Sequence, residues 1–521
     1  MSISEKEIFR KIGQAFKIRN LTPDKHALLF LFSYFKDSSS ESIDTQLPLI
    51  MERIPNTTGR PITEDQLKEV VASLMKSSNI SFNIFDFQNA VDAPNLEFHE
   101  KLLTFGEHPE NSLGTASSKF ALFKNRFEII RASLLAVKEF HRSIVQGLSS
   151  ASKFSLLSIN SLLPYTNKNV LVLGILDGNE NTFSIEDDSG SVIIDISDVK
   201  YSDGIFPLGC VVLVEGFFTG KLIHVSTLAF CPSTTRQHFL LDFWKEPTDP
   251  FGWGLSPDAF KELNSLLTTE HSKSLILAFS DVWIDIPSVI TDFNAILSKY
   301  DELPPNILII TGSFTSQYMG IRRFEDFKIL FEKFATIIAS HHDIIQQTKI
   351  IFIPSLNDFP YSKVFPRPPL LKPFKDIMIK AFKNVDVDNE PIFLSNPSRI
   401  RFLDQTITIF RHDIMRHLSN AAVLPVSSDN SYQKLAKTLI EQRHLTPTGL
   451  DIIPVAWPYD YAMRLFPTPD VLFLCDSYPR WTTEINNCTI INPGQFGNEK
   501  TYAQYFPATK IADLCDVNGK I

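Results

Sequence analysis

From about residue 245 to the end of the chain, short runs of consecutive apolar residues recur, each followed by a polar loop. Leu275-Ile276-Leu277-Ala278-Phe279-Ser280 is the first, Ile307-Leu308-Ile309-Ile310 the second and Ile350-Ile351-Phe352-Ile353 the third; Val471-Leu472-Phe473-Leu474 comes later. Runs this short match buried strands, and the residues between them alternate with a helical pattern. The pattern predicts a layered α/β domain over 245–521. Groups emerging at the carboxyl ends of its strands are the first candidates for chemistry.

A chain of 521 residues is too long for one core. Residues 151–235 carry a second pattern, short period-two strands separated by turns. The apolar run Val170–Leu173 leads to the turn Asp177-Gly178-Asn179, and Thr182–Asp187 closes on Asp188-Ser189-Gly190. Ser191–Ile196, Val211–Phe217 and Lys221–Val225 follow, which predicts a small five-stranded Greek-key barrel.

Residues 1–76 read as helical. Thr22-Pro23-Asp24 predicts a helix start, with Thr22 as N-cap and Pro23 in the first turn, and Leu28, Leu31, Phe32 and Phe35 then share a face. Thr63 and Gln66 predict a capping box flanked by Ile62 and Leu67, with Val70, Val71 and Leu74 continuing the face. Residues 77–116 lose periodicity, are rich in Ser, Asn, Pro and Gly, and predict an extended linker. Residues 117–150 predict a long amphipathic helix leading into the barrel. Phe120, Phe123, Phe127, Ile130, Leu134 and Val137 lie on one face, suited to a core or to a partner groove.

The charge balance limits what the chain does alone. A net charge of −9, with Arg322-Arg323 as the densest basic stretch, does not fit a protein that grips duplex DNA by its phosphates. The barrel's strand edges carry Glu186, Asp187, Asp188 and Asp195 where a single-strand binder would place cations. Forty-three Phe predict large buried surfaces, in cores or in permanent interfaces. Five scattered cysteines predict neither a zinc site nor a disulfide framework, and the charged N-terminus predicts no secretory signal. A reducing compartment follows. No phosphate loop, GxSxG elbow or HExxH occurs, and His341-His342 reads as a polar helix end.

The strand-end loops of 245–521 resemble, in order, the D-x-H, G-D-x-x-D, G-N-H-[DE] and G-H-x-H motifs of metallophosphoesterases, with most ligands replaced. Two-metal hydrolysis needs those carboxylates and imidazoles. The first motif reads Asp281-Val282-Trp283 and the second Gly312-Ser313-Phe314-Thr315-Ser316. The third reads Ser355-Leu356-Asn357-Asp358 and the last Cys475-Asp476-Ser477-Tyr478. Thus Asp281, Trp283, Ser313, Ser316, Leu356, Asn357, Asp476 and Tyr478 mark the degenerate positions, with His444 in the region of the lone His. Trp283, Ser313 and Tyr478 suggest a repacked cleft. The resemblance is to a calcineurin-like phosphoesterase domain without its metal site, so no catalytic residue, metal or cofactor is implied.

A barrel followed by such a domain resembles the B subunits of eukaryotic replicative DNA polymerases. SLGT (Ser112 to Thr115), FSDVWID (Phe279 to Asp285), FPRPPL (Phe365 to Leu370), SNPSRI (Ser395 to Ile400), RHLTP (Arg443 to Pro447) and WPYDYAMRLFPTPDVLF (Trp457 to Phe473) are similar to the epsilon branch. The resemblance implies an α+β multidomain chain: an N-terminal helical domain like the lid of AAA+ ATPases, an OB-fold barrel and an inactive phosphoesterase-like domain. It implies a nuclear, non-catalytic scaffold that clasps the C-terminal domain of the polymerase catalytic subunit. Its N-terminal domain would reach GINS in the replicative helicase, with small histone-fold subunits as further partners, DNA contacted indirectly and no membrane. Trp457, Tyr459, Tyr461, Met463, Arg464 and Phe466 form a candidate contact region; a loop covering the former cleft is the alternative. Competing functions are the corresponding accessory subunit of the delta polymerase, a phosphodiesterase using Asp281, Asp358, His444 and Asp476, and a single-strand-binding barrel.

Overall fold

The computed structural model describes residues 5–18, 21–36, 61–64, 84–99, 102–106, 114–136, 155–179, 182–233, 250–426 and 429–520, with isolated positions between 43 and 70 and at 108, 109, 235 and 236. They fall into two compact units, Met1–Asn83 and Ile84–Ile521.

In the first unit, Ile8, Ile12 and Phe16 recur every four residues on helix Glu5–Ile18 and bury against Leu31 and Phe35 of helix Lys25–Phe35. Ile43, Leu47, Ile50, Ile62 and Leu67 complete this core. The second helix begins later than the sequence predicts. Asp24, not Thr22, is the N-cap, and its carboxylate accepts from Ala27 N at 2.6 Å. Thr22 and Pro23 are held extended instead, because Ile62 N donates to Thr22 O at 2.8 Å and Pro23 bridges Ile62. The capping box forms, with Thr63 N donating to Gln66 Oε1 at 3.1 Å and Gln66 N to Thr63 Oγ1 at 3.5 Å. Val71 and Leu74 lie outside the described residues.

The second unit starts inside the stretch read as a linker. Phe85–Asn89 is a strand paired antiparallel with Ser398–Phe402, from Phe85↔Phe402 to Asn89↔Ser398, and Leu96–His99 forms a hairpin with Leu102–Phe105. The linker reading is therefore corrected for these residues. The alternation Phe85-Asp86-Phe87-Gln88 is a strand pattern, and Asp86 pairs with the buried Arg401 across it. Helix Ala116–Ala136 follows; residues 137–150 lie outside the described residues. Phe127, Ile130 and Leu134 pack on Leu173, Val211 and Cys231, whereas Phe120 near the helix start is 65% exposed.

The barrel closes as a ring. Lys168–Gly178 pairs antiparallel with Phe183–Asp187, which pairs with Gly190–Asp195; that strand lies parallel to Leu222–Ala229. Leu222–Ala229 pairs with Val211–Phe218, which returns to Lys168–Gly178. Closing a sheet removes free edges, and Val172, Ile185, Val212, Val214 and Ile223 fill the interior.

The rest of the unit is a four-layer sandwich. One sheet runs Ile392–Phe393, Lys349–Ile353, Ile307–Thr311, Ile276–Ser280 in parallel, then antiparallel Tyr502–Phe506, Ile511–Asp516 and Gly519–Lys520. The other runs Phe85–Asn89, Ser398–Phe402, Gln405–Arg411, Val471–Cys475, Cys488–Asn492, Trp481–Ile485. The sheets meet where Tyr505 donates to Gln405 Oε1 at 3.0 Å and its ring lies 6.4 Å from Phe473. Helices Pro287–Ser298, Phe324–Ala339 and Lys372–Lys383 cover the first sheet through Phe293, Phe331, Phe334, Phe374 and Phe382. Helices Ile414–Asn420 and Ser431–Gln442 cover the second through Leu418, Leu435 and Leu439. With a layer on each face, the central strands are apolar throughout.

Helix Ser431–Gln442 also holds the barrel. Gln442 accepts from Val211 N and donates to Val211 O, both at 2.8 Å, and Thr438 Oγ1 accepts from Ile205 N at 2.8 Å. These buried side chains satisfy backbone groups the barrel leaves open.

Candidate functional site

Asp281 follows the strand Ile276–Ser280 and is 1% exposed. Ser313 N donates to its Oδ1 at 2.6 Å. The same oxygen takes a bond of 2.8 Å from Nη2 of Arg411, the last residue of strand Gln405–Arg411. Arg411 Nε donates to Gly312 O at 2.7 Å, and Nη1 to Asp413 Oδ1 at 2.7 Å and to Cys475 O at 3.3 Å. One guanidinium thus ties together the first, second and last motif loops. Burial opposes its charge, but Asp281 and Asp413 more than offset this and push its pKa up. Burial also opposes ionised Asp413, yet Arg411 holds that carboxyl well below the usual carboxylate range. At Asp281, burial pushes the carboxyl up while Arg411 pulls it back.

The other motif carboxylates bind backbone. Asp358 accepts from Phe314 N and Ser355 N, both at 2.7 Å, so it staples the second loop to the third. A side chain at Gly312 would overlap this carboxylate, which explains the glycine. Ser313 and Ser355 share a hydroxyl hydrogen bond of 3.0 Å, and Ser316 donates through N and Oγ to Asp285 at 2.8 and 2.6 Å. Leu356 packs partly into the core beneath the second sheet, and Asn357 is exposed. Asp476 accepts from Met415 N at 2.8 Å and Tyr478 N at 3.0 Å, and burial pushes its pKa up to about 6.

Two expectations about the cleft are corrected. Tyr478 does not fill it: the ring is 39% exposed and its hydroxyl meets Ser431 Oγ at 3.2 Å. Backbone geometry turns it outward once Asp476 accepts its N–H. His444 does not join the Asp281 network either. It is buried with Nε2 3.2 Å from Asp460 Oδ1, and its Nδ1 accepts from Thr446 N at 3.1 Å. Burial and then Arg126 push its pKa down, against the upward pull of Asp460. Trp283 is half-buried, with its ring against Gly497 and the core under the first sheet. The set Asp281, Asp358, His444 and Asp476 is not brought together, and among the described residues no group of three or more His, Cys, Asp or Glu is arranged to hold a metal ion.

The candidate contact region is largely internal. Tyr461, Met463, Arg464 and Phe466 are buried, and Trp457 and Tyr459 half-buried. Tyr461 donates to Val91 O at 2.7 Å, Tyr459 to Pro109 O at 3.2 Å, and Arg464 Nη1 to Leu96 O at 2.6 Å. Trp457 lies against Gly114 and under Lys119. Met463 packs under the second sheet, and Phe466 lies 5.7 Å from the Arg443 guanidinium. Tyr459, Tyr461 and Arg464 thus seat the preceding chain at Pro109, Val91 and Leu96, and Trp457 seats it at Gly114. Between them, Asp460 takes Arg126 Nη2 at 2.6 Å, and Arg126 Nη1 donates to Thr448 O at 3.0 Å. Burial opposes ionised Asp460, but Arg126 holds it well below the carboxylate range.

The sequence reading missed Arg411, Asp413, Arg126 and Asp460. Arg411-His412-Asp413 does stand at the carboxyl end of a strand, which is the signal that could have found it. A groove of about 840 Å³ is open between Phe120 and Phe123 of the long helix, Asp177 and Glu186 of the barrel, and Asp451 and Trp457.

A family model describing the B subunits of the alpha and epsilon DNA polymerases matches residues 276–483, and one described as "DNA polymerase epsilon subunit 2-like, OB-fold domain" matches residues 116–232. The chain is 29% identical to "DNA polymerase epsilon subunit 2" of Bos taurus and to that of Homo sapiens, in each case over 97% of this chain and 98% of the relative. It is 27% identical to the B subunit of DNA polymerase epsilon from Arabidopsis thaliana, with the same coverage. The ring of five strands is the OB fold that the second family model describes. The chain is thus similar to the B subunits of the alpha and epsilon DNA polymerases, and over nearly its whole length to those of the epsilon branch.

Proposed function

We propose that this chain is a non-catalytic accessory subunit of a nuclear DNA polymerase of the epsilon class, working as a scaffold. The observation that carries the non-catalytic part is Arg411. A guanidinium bonded to Asp281, Gly312, Asp413 and Cys475 takes the place among the motif loops that divalent ions would need, and turns the strand ends into a cross-braced core. The four-layer sandwich then acts as a calcineurin-like phosphoesterase fold retained for its rigidity.

The scaffold part draws on the relatives' names and on the groove beside Phe120. Its aromatic floor and its rim of Asp177, Glu186 and Asp451 suit an apolar segment flanked by cations. Its occupant in this reading is the C-terminal domain of the polymerase catalytic subunit. The N-terminal helical unit, as an AAA+ lid-like module, would bind GINS in the replicative helicase, with the small histone-fold subunits completing the assembly. Coexpression with the catalytic subunit's C-terminal domain tests the reading. Copurification in equal amounts, weakened by Phe120→Asp, is expected; failure to copurify overturns the subunit role. Hydrolysis of a simple phosphodiester that is lost in Asp281→Asn would overturn the non-catalytic one.

A further inference from the structure

The adjacent parallel strands Ile307–Thr311 and Lys349–Ile353 end side by side, with Thr311 paired to Ile353. The loops that leave them bring two tyrosines to the surface. Tyr318 is 55% exposed and Tyr361 43%, with ring centroids 5.1 Å apart and planes inclined by 60°. The loops beneath are fixed: Ser316 is bonded to Asp285, Ser362 N donates to Leu356 O at 3.1 Å, and Phe324 and Phe359 pack at 5.0 Å. Burial therefore does not account for the tyrosines, yet their support is rigid.

Cations lie on or next to the same loops. Lys363 Nζ lies 6.0 Å from the Tyr361 centroid, Arg322 follows Tyr318 in the same loop, and Lys372 opens the helix after the second loop. All three are exposed, and none forms an ion pair among the described residues. Of the acids near them in the chain, Asp326 pairs with Arg323 at 2.9 Å, Glu325 pairs with Lys328 and Asp358 is inside, while Asp376, four residues after Lys372, is exposed.

We propose that Tyr318 and Tyr361, with Arg322, Lys363 and Lys372, form a contact site for single-stranded nucleic acid. Exposed rings stack on bases regardless of sequence, and unpaired cations beside them neutralise phosphates. Rings inclined by 60° cannot follow the parallel stack of a duplex, so each takes a base from a splayed strand. Lys363, now over Tyr361, yields that face to a base and moves to a phosphate. The site lies on the sandwich and not on the barrel, whose edges are acidic. It stands independently of the subunit reading.

Fluorescence anisotropy of a labelled oligothymidylate of about 12 nucleotides titrated with the full chain tests this. Binding should favour the single strand over a duplex of the same length. The Tyr318→Ala/Tyr361→Ala double variant should bind at least about tenfold more weakly, while Tyr318→Phe/Tyr361→Phe retains affinity. Lys363→Ala and Arg322→Ala should each lower the log–log salt slope by about 0.7. All these positions are exposed, so an unchanged melting temperature verifies folding. No binding at low salt, equal affinity for duplex, or unchanged affinity of the alanine variant overturns the proposal. So does an alanine variant that keeps its oligonucleotide affinity but loses copurification with the catalytic subunit, which would make the patch a protein interface.

Discussion

Arg411 Nη2 donates to Asp281 Oδ1 at 2.8 Å, joining two strands that belong to different sheets of the sandwich. Both residues are nearly inaccessible, so neither charge is compensated by solvent. Breaking a buried pair by removing one partner costs about 3–5 kcal/mol. Arg411→Met should cost that much, and pairing it with Asp281→Asn should cost less than the sum of the two single changes. All five tryptophans lie beyond residue 243, so tryptophan fluorescence during urea unfolding follows the second unit. Additive losses would show that the pair is not coupled.

The Arg126–Asp460 pair holds the long helix from the outside of the barrel. Its guanidinium forks onto both carboxylate oxygens and also reaches Thr448 O. Arg126→Ala should cost about 3–5 kcal/mol and raise hydrogen exchange across residues 116–136. Arg126→Lys should rescue little, since an ammonium cannot reproduce the fork.

Gln442 serves both backbone groups of Val211. Gln442→Leu keeps the volume but leaves a buried N–H and C=O unpaired, at about 1–3 kcal/mol each. A lowered melting temperature of the second unit checks this, and Thr438→Val should add a further loss by freeing Ile205 N.

Asp476 sets a pH dependence. Its pKa rises from the ordinary 3.8 to about 6 on folding. Between those values the folded chain keeps a proton that the unfolded chain has released. The associated stability is present below the lower value and lost as pH rises through the upper one. Two units at about 1.36 kcal/mol each give a loss of about 3 kcal/mol. Asp476→Asn should remove that slope between about pH 4 and about pH 7, seen as a difference between variant and parent urea midpoints.

The buried parallel strands were legible because four aliphatic residues in a row fit few environments. The hairpin of Phe183–Asp187 and Gly190–Asp195 was legible from Asp188-Ser189-Gly190, whereas Asp177 and Gly178, read as a turn, are still paired to Ser184 and Phe183. The second sheet was not: Ser398-Arg399-Ile400-Arg401-Phe402 and Gln405-Thr406-Ile407-Thr408 alternate polar and apolar residues as a half-exposed strand would, yet the structure buries most of their polar side chains as well. Their polar partners come from residues far away in sequence, such as Asp86 for Arg401 and Tyr505 for Gln405. Arg411 was hidden for the same reason. Aromatic density in Trp457–Phe466 looks alike whether it receives another protein or the chain's own residues 91–114. The outward turn of Tyr478 depends on one backbone hydrogen bond.

The edge strand Phe85–Asn89 has a mechanical consequence. The covalent path from the first unit enters the second at Ile84, and the antiparallel register begins at Phe85↔Phe402. A pull arriving along the chain therefore loads the Leu403 N to Ile84 O bond of 2.9 Å first. Next come the Asp86–Arg401 ion pair and then the bonds of Asn89 and Ala90 to Ser395, before any force reaches the barrel or the sandwich core. Under tension this five-residue strand is the fuse: it peels first and leaves the barrel and the sandwich core folded.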